Sequence, residues 1–156
     1  MADETDEAQA LRTLLDKIVD ALDLDADVEI EDDGETLTGR LDGDDLGLFI
    51  GRHGSTIEAV QHLAQRVAGG DGPARRRIVV DAAGYRERRA EVLQRQADEA
   101  ADRAVSSDRP VALDAMTSSE RRVVHEYLRD RGDVETHSEG DEPNRHLVVT
   151  PASGDA

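Results

Sequence analysis

The stretch "LGLFIGRHGSTIEAVQHL", residues 46–63, decides how the first half of the chain folds. Two glycines, Gly51 and Gly54, lie three residues apart between two apolar segments, with Arg52 and His53 between them. A tight turn between two helices explains the glycines, because glycine adopts backbone angles that other residues avoid. The turn alone does not explain two basic side chains in a protein whose net charge is −17.

The acidic residues are unevenly distributed along the chain. Residues 1–45 contain 17 acidic and 3 basic residues, residues 46–132 contain 13 and 15, and residues 133–156 contain 6 and 1. An acidic chain disfavours nucleic-acid binding, because contacts to the phosphate backbone supply most non-specific affinity. The local field decides binding, however, and the middle of the chain is not acidic. The acidic ends are typical of a solvated surface, or of an adaptor that binds proteins.

Composition excludes several classes of site and location. The chain has no cysteine, so it can form neither a disulfide nor a thiolate metal site. No apolar run approaches the ~18 residues of a membrane span. The acidic start "MADETDEAQA" is unlike a signal or transit peptide. We therefore expect a cytoplasmic protein with no membrane insertion.

The apolar spacing of the first half predicts the element order α-β-β-α-α-β. Residues 5–22 have a helical stripe, and two alternating segments flank the turn "DDGE", which predicts a hairpin. Two helices should flank the glycines, the second starting with a capping box of Ser55 and Glu58, and "RRRIVVDA" should be a strand. We predict an α+β domain over residues 1–83 with an acidic N-terminal helix. The second of the paired helices should bury Ile57, Val60, Leu63, Ala64 and Val67.

The second half predicts a long helix followed by a small α/β domain. The helix should cover roughly residues 84–106, and "VALDAM" should be a short extended segment. The segment "TSSERRVVHEYLRDRG" begins with a capping box of Thr117 and Glu120, and "DVETHS" and "RHLVVT" read as strands. These elements form a predicted domain over residues 84–151, followed by a disordered tail of residues 152–156. The long helix should bury Val92, Leu93, Ala97, Ala100, Ala101 and Val105.

The glycine-flanked turn also predicts a phosphate site. A helix starting at Ser55 would present backbone N–H groups and the positive end of its dipole, and a phosphate could approach glycines closely. Arg52 and His53 would then face the phosphates. A lone GxxG also fits a plain helix-turn-helix corner. Within the predicted element order, however, it resembles the type II K-homology (KH) domain, whose GxxG loop clamps about four nucleotides. The predicted nucleic-acid contacts are Gly51, Arg52, His53, Gly54 and Ser55.

A second candidate site lies in "ERRVVHEYL". Arg121 and His125 are four residues apart, hence on one helix face, while Val124, Tyr127 and Leu128 should take the buried side. Alone, such a pair is an ordinary polar face. Together with "RPVALDAM" upstream and "SEGDEPNRHLVV" downstream, it resembles the small single-stranded nucleic-acid-binding domain named for its Arg-x-x-x-His signature. That resemblance implies contacts from Arg121 and His125, helped by Arg122 and Arg145.

The two modules in this order, with "GYRERR" between them, resemble the bacterial Jag family, the SpoIIIJ-associated proteins also called KhpB or EloR. The resemblance runs from about residue 10 to 151, and the sequence has no room for the extra N-terminal Jag domain of many members. It implies a cytoplasmic RNA-binding protein, an RNA chaperone or post-transcriptional regulator linked to cell elongation and division. It also implies a small single-KH-domain protein as partner. A single-stranded DNA binder and an acidic adaptor stay open as alternatives.

The sequence offers no support for catalysis. Its five histidines lack metal-ligand spacing, and no serine lies in a nucleophile motif. His62 fits a packed or surface position better than a catalytic one. We expect no catalytic residue, no cofactor and no metal.

Overall fold

Two three-stranded sheets, each with its own apolar core, organise the chain. The computed structural model describes residues 4–153. The chain divides into two units after Arg86, whereas the sequence predicts a first domain of residues 1–83. The helices are α1 Asp6–Ala21, α2 Gly47–Ile50, α3 Ser55–Ala68, α4 Tyr85–Ser107 and α5 Ser118–Leu128, with a 3-10 turn over Arg52–Gly54. The strands are β1 Ala26–Asp32, β2 Thr36–Gly43, β3 Arg77–Ala82, β4 Val111–Ala112, β5 Val134–Glu139 and β6 His146–Pro151.

The first unit has the predicted element order, with β2 in the centre of its sheet. β1 pairs antiparallel with β2, and β3 pairs parallel with β2. Gly39 in β2 lies under α1: a Cβ there would approach Leu15 Cδ1 to 2.5 Å and Leu11 Cδ2 to 3.2 Å. The missing side chain therefore lets α1 pack directly on the sheet.

The core-facing stripe of α3 differs from the predicted one. Ile57, Val60 and Ala64 are buried as predicted, but Leu63 and Val67 are 49% and 54% exposed. Each residue turns an α-helix by about 100°, so Leu63 lies about 100° and Val67 about 60° around the helix from the buried Ala64, on one border of the buried stripe. Alanine at positions 64 and 68 lets α3 approach the sheet, and the larger side chains face solvent.

Two glutamines on α3 form hydrogen bonds with the backbone groups along the free edge of β3. Gln61 Nε2 donates to Ile78 O at 2.5 Å, and its Oε1 accepts from Val80 N at 2.7 Å. One turn later, Gln65 Nε2 donates to Arg76 O at 2.7 Å, and its Oε1 accepts from Ile78 N at 3.0 Å. The two side-chain amides thus take the place of a neighbouring strand. They close this edge of the sheet to further strand pairing and fix α3 against it.

The turn between β1 and β2 is held by two aspartates. Asp33 accepts hydrogen bonds from the backbone N–H groups of Thr36 and Glu35, at 2.7 and 2.9 Å, and these bonds lower the pKa of its carboxyl group. Asp32 accepts from Arg76 and from Gly34 N, and the Arg76 hydrogen bond is the main reason that its pKa is also lowered. Both carboxylates therefore stabilise the turn in their ionised form.

The second unit packs α4 and α5 on a sheet of order β4-β6-β5 with antiparallel pairing throughout. α4 buries alanines as predicted, but Ala104 takes the place expected for Val105, which is 43% exposed. α4 is therefore part of this core rather than a bare connector. In the predicted tail, Ala152 N still donates to Asp133 O at 2.8 Å, and residues 154–156 lie outside the described range. The buried residues of α4 are Leu93, Ala97, Ala100, Ala101 and Ala104.

The start of α5 confirms half of the predicted capping box. Thr117 caps the helix by accepting from Glu120 N at 3.3 Å. The Glu120 carboxylate turns instead to Arg89, whose Nε donates to it at 2.7 Å. Tyr127, predicted to be buried, is 38% exposed and donates to Asp98 at 2.7 Å, whereas Glu120 and Arg121 are among the buried residues of α5.

Replacing Gln61 tests the closed edge. Gln61→Met keeps the length of the side chain but leaves Ile78 O and Val80 N without their partner. Each unsatisfied buried group costs about 1–3 kcal/mol, so we expect the free energy of unfolding to fall by at least about 1 kcal/mol. The measurement is urea denaturation followed by circular dichroism. Gln9→Met, on the exposed face of α1 in the same unit, is the matched control. It should change the free energy of unfolding by less than about 0.5 kcal/mol.

Candidate nucleic-acid interface

The turn between α2 and α3 reverses the chain by left-handed backbone angles. The φ angles of Gly51, His53 and Gly54 are 75°, 55° and 76°. A Cβ on Gly51 would lie 2.8 Å from Thr56 N, and one on Gly54 would lie 2.5 Å from the Tyr85 hydroxyl oxygen. Packing therefore requires glycine at both positions, whatever binds to the turn.

The predicted capping box of Ser55 and Glu58 is wrong. The N-cap of α3 is Gly54, which has no side chain to accept a hydrogen bond, and Ser55 is already inside the helix. Glu58 instead accepts from Arg86 Nη1 at 3.1 Å. The first turn of α3 therefore keeps N–H groups that no capping side chain covers, and the positive end of its dipole faces the loop.

Arg52 and His53 lie on the outside of this turn, and both are exposed. Within residues 4–153, neither side chain makes a hydrogen bond or an ion pair. His53 holds a left-handed conformation that costs a residue other than glycine about 1 kcal/mol. The structure thus brings the five predicted loop residues together at one helix start, with two basic side chains free to bind an anion.

The second predicted site forms a shallow pocket of about 330 Å³ between α5 and β5, the α5–β5 pocket. His125 Nδ1 lies 2.5 Å from Thr136 Oγ1, which fixes the ring against the strand. Sequence reasoning missed the β5 residues. Alternation in "VETHSE" puts Thr136 and Ser138 on the same face as the buried Val134, and this signal could have found them. The pocket is lined by Ser118, Arg121, Arg122, His125, Thr136, His137, Ser138 and Leu147.

Arg121 is largely committed to contacts within the protein. Its side chain is only 10% exposed. Nη1 donates to Met116 O at 2.8 Å and to Arg145 O at 3.5 Å, and Nη2 donates to Glu142 at 2.6 Å. Arg121 therefore ties the start of α5 to the loop before β6, whereas the sequence predicts an open polar face.

The remaining predicted arginines differ in accessibility. Arg122 is 80% exposed and donates to Glu126 at 3.0 Å, which lowers the pKa of that carboxyl group. Arg145 donates to Gly140 O at 2.7 Å and does not line the pocket. The structure thus brings Arg121, Arg122 and His125 together, with Arg122 far more accessible than Arg121, and leaves Arg145 as a support of the loop.

Comparison with known proteins assigns both units. Residues 8–80 match the model of the KhpA/KhpB KH domain, and residues 91–151 match the model of the domain named for its Arg-x-x-x-His signature. The chain joins a KH domain of the KhpA/KhpB family to an Arg-x-x-x-His domain. The resemblance drawn from the sequence is thereby confirmed for both domains and for their order, and the α+β fold class is confirmed with it.

Several bacterial proteins are similar to most of this chain. The RNA-binding protein KhpB of Lactiplantibacillus plantarum is 38% identical over 143 residues, which cover 90% of this chain and 44% of that protein. KhpB of Clostridium symbiosum is 33% identical, with 87% and 62% covered, and KhpB of Bacillus subtilis is 29% identical, with 96% and 73% covered. The chain thus spans less than two thirds of the first two relatives.

Residues 4–153 contain no group of three or more His, Asp or Glu side chains that could hold a metal ion. No helix in this range is both long and apolar enough to cross a membrane.

The contact between Gly54 and Tyr85 in the KH domain can be tested by a double-mutant cycle. Gly54→Ala should destabilise the domain by about 1–3 kcal/mol, because the backbone angle and the Tyr85 hydroxyl both oppose a Cβ. Tyr85→Phe removes that hydroxyl. The double variant should therefore lose at least about 0.5 kcal/mol less than the sum of the two single variants in urea denaturation. Strict additivity would show that the hydroxyl does not restrict position 54.

Proposed function

We propose that this chain is a non-enzymatic protein that binds single-stranded RNA through the GxxG loop of its KH domain. The observation that carries the proposal is the exposed pair Arg52 and His53, free of partners within residues 4–153, beside the uncapped start of α3. A GxxG loop in a KH domain clamps four nucleotides by their backbone. The loop offers cationic side chains and backbone N–H groups at one place, which suits that task.

The preference for RNA is supported by the relatives, which are named RNA-binding proteins. Phosphate contacts alone do not separate RNA from DNA, because only the 2′-hydroxyl differs on the sugar. Single-stranded DNA of the same sequence is therefore the comparison ligand in each binding assay. Equal affinity for both would favour the single-stranded DNA alternative.

The α5–β5 pocket is proposed as a second contact for the same class of ligand. Arg122 and His125 would meet the phosphates, and Arg121 would position α5 and the loop before β6. This division of roles is supported by the 80% exposure of the Arg122 side chain and the 10% exposure of Arg121. A second contact on one chain is intramolecular, so it can raise the overall affinity about 100-fold without strong binding at either site.

A partnership with a small single-KH-domain protein, and a role as RNA chaperone or post-transcriptional regulator, complete the proposal. Val67 on α3 is exposed beside the partly buried Leu14 on α1, and Leu63, one helical turn before Val67, is also exposed; such an apolar surface suits a protein partner. An adaptor that binds proteins through its acidic ends is the alternative. It would be favoured if the chain bound no single-stranded nucleic acid.

Reversing the charge of the GxxG loop is the direct test. Arg52→Asp with His53→Asp should abolish binding of single-stranded RNA, because two acidic groups at the start of α3 repel phosphate. Both positions are exposed, so the free energy of unfolding should change by no more than about 0.5 kcal/mol. Fluorescence anisotropy with a labelled oligonucleotide measures the affinity.

The matched control reverses two charges elsewhere. Arg95→Asp with Arg103→Asp changes the net charge by a similar amount on the exposed side of α4, and it should weaken binding by less than about threefold. If the two double variants lost the same amount of RNA affinity, the effect would come from net charge alone. That result would reject the loop as the binding site.

The proposed contact at the α5–β5 pocket is tested by comparing variants of the exposed Arg122 and of the enclosed Arg121. Arg122→Ala with His125→Ala should weaken binding of an oligonucleotide of about fifteen nucleotides by about tenfold or more, with little change in stability. Arg121→Ala should instead lower the stability of the domain by about 1–3 kcal/mol, because Glu142 and two carbonyl groups lose their donor. Unchanged long-strand affinity in the first variant would indicate that this pocket does not bind nucleic acid.

A further inference from the structure

A second group of basic side chains lies at the far end of α3 from the GxxG loop. His62 and Arg66, four residues apart on one helix face, line a shallow pocket of about 290 Å³ together with Arg75 from the loop before β3. All three side chains are exposed. Within the described range, none of them makes a side-chain hydrogen bond or an ion pair. Three unpaired basic groups at one pocket are unusual in a unit this acidic.

The pocket is connected to the GxxG loop by an exposed stripe on α3. Ser55, Ala59, His62 and Arg66 follow one another at spacings of four, three and four residues, and all are exposed. The first two are small, so an extended chain can lie close to the helix there. The eleven helical steps from Ser55 to Arg66 span about 16 Å at ~1.5 Å per residue. The stripe thus runs from Ser55, next to Arg52 and His53 of the loop, to Arg66 in the second basic group.

Two other polar side chains beside the stripe, Gln65 and Glu58, are already engaged. Gln65 lines the pocket, but its amide is held by the edge of β3. Glu58 accepts from Arg86, so one acidic side chain beside the stripe is already paired. Asp71 is the only carboxylate among the lining residues of this pocket, and it would oppose an anion. The basic side chains at this pocket therefore outnumber its single carboxylate, and this charge balance favours a phosphate group.

We infer that His62, Arg66 and Arg75 form a distal phosphate site, which extends the contact of the KH domain with a nucleic-acid strand along α3. The inference rests on the proposed RNA-binding function. The ligand is the phosphate backbone of a single strand that also occupies the GxxG loop. The site makes no contact with bases, so it adds affinity and salt dependence without adding sequence preference. It lengthens the strand that the domain can hold beyond the four nucleotides of a GxxG loop.

The test compares two oligonucleotide lengths in the full chain. Arg66→Gln with Arg75→Gln should weaken binding of single-stranded RNA of about ten nucleotides by about tenfold and leave one of about four nucleotides unchanged. The slope of log K against log salt for the longer strand should become shallower by about 1.4, at about 0.7 per lost phosphate contact. Asp71→Asn should tighten binding of the longer strand about twofold and leave the shorter one unchanged.

Controls separate this site from the others. Each assay is repeated with Arg122→Gln and His125→Gln present, so that the α5–β5 pocket contributes little. Arg95→Gln with Arg103→Gln removes the same charge from α4 and should have little effect. If the unaltered chain binds no single-stranded RNA, the proposed function fails. If it binds but Arg66→Gln with Arg75→Gln changes nothing, or weakens both lengths equally, the distal site is rejected and the proposed function stands.

Discussion

The hydrogen bonds between the glutamines of α3 and the edge of β3 are the constraint on which the KH site depends. Four bonds from two side chains fix both the rotation and the height of α3 against the sheet. The GxxG loop directly precedes this helix. The orientation of α3 therefore sets the direction in which the N–H groups and basic side chains of the loop point. A site built on a helix held in this way is presented without much reorganisation, which reduces the entropic cost of binding.

Arg86 extends this constraint to Glu58, an acidic side chain on the first turns of α3. Its Nε donates to Val80 O at 2.6 Å, while its two terminal nitrogens reach Glu58 at 3.1 Å and Gln61 at 3.3 Å. One guanidinium therefore pairs the carboxylate on the first turns of α3 and also supports the glutamine that closes the sheet edge. An unpaired Glu58 would oppose phosphate at the helix start, so this contact favours an anion there as well as stabilising the fold.

Sequence periodicity predicted the α+β fold class and the order of its elements, because apolar spacing and turn residues act locally. It failed where tertiary contacts decide. Ser55 and Glu58 have the spacing of a capping box, but Glu58 binds an arginine 28 residues away and Gly54 becomes the cap. Arg121 looks like a surface residue on a polar helix face, yet a loop more than twenty residues later encloses it. Neither long-range partner can be read from local spacing.

The left-handed conformation of His53 has a consequence for how variation in this loop is interpreted. Only glycine, and less readily asparagine, aspartate or histidine, adopts such angles at low cost, whereas β-branched residues do so very rarely. A survey of random substitutions between the two glycines would therefore find valine and isoleucine depleted at position 53 even in cells where no RNA is bound. Intolerance at position 53 therefore measures first whether the loop can fold, and the adjacent Arg52 is the position whose tolerance would report on the proposed recognition of RNA.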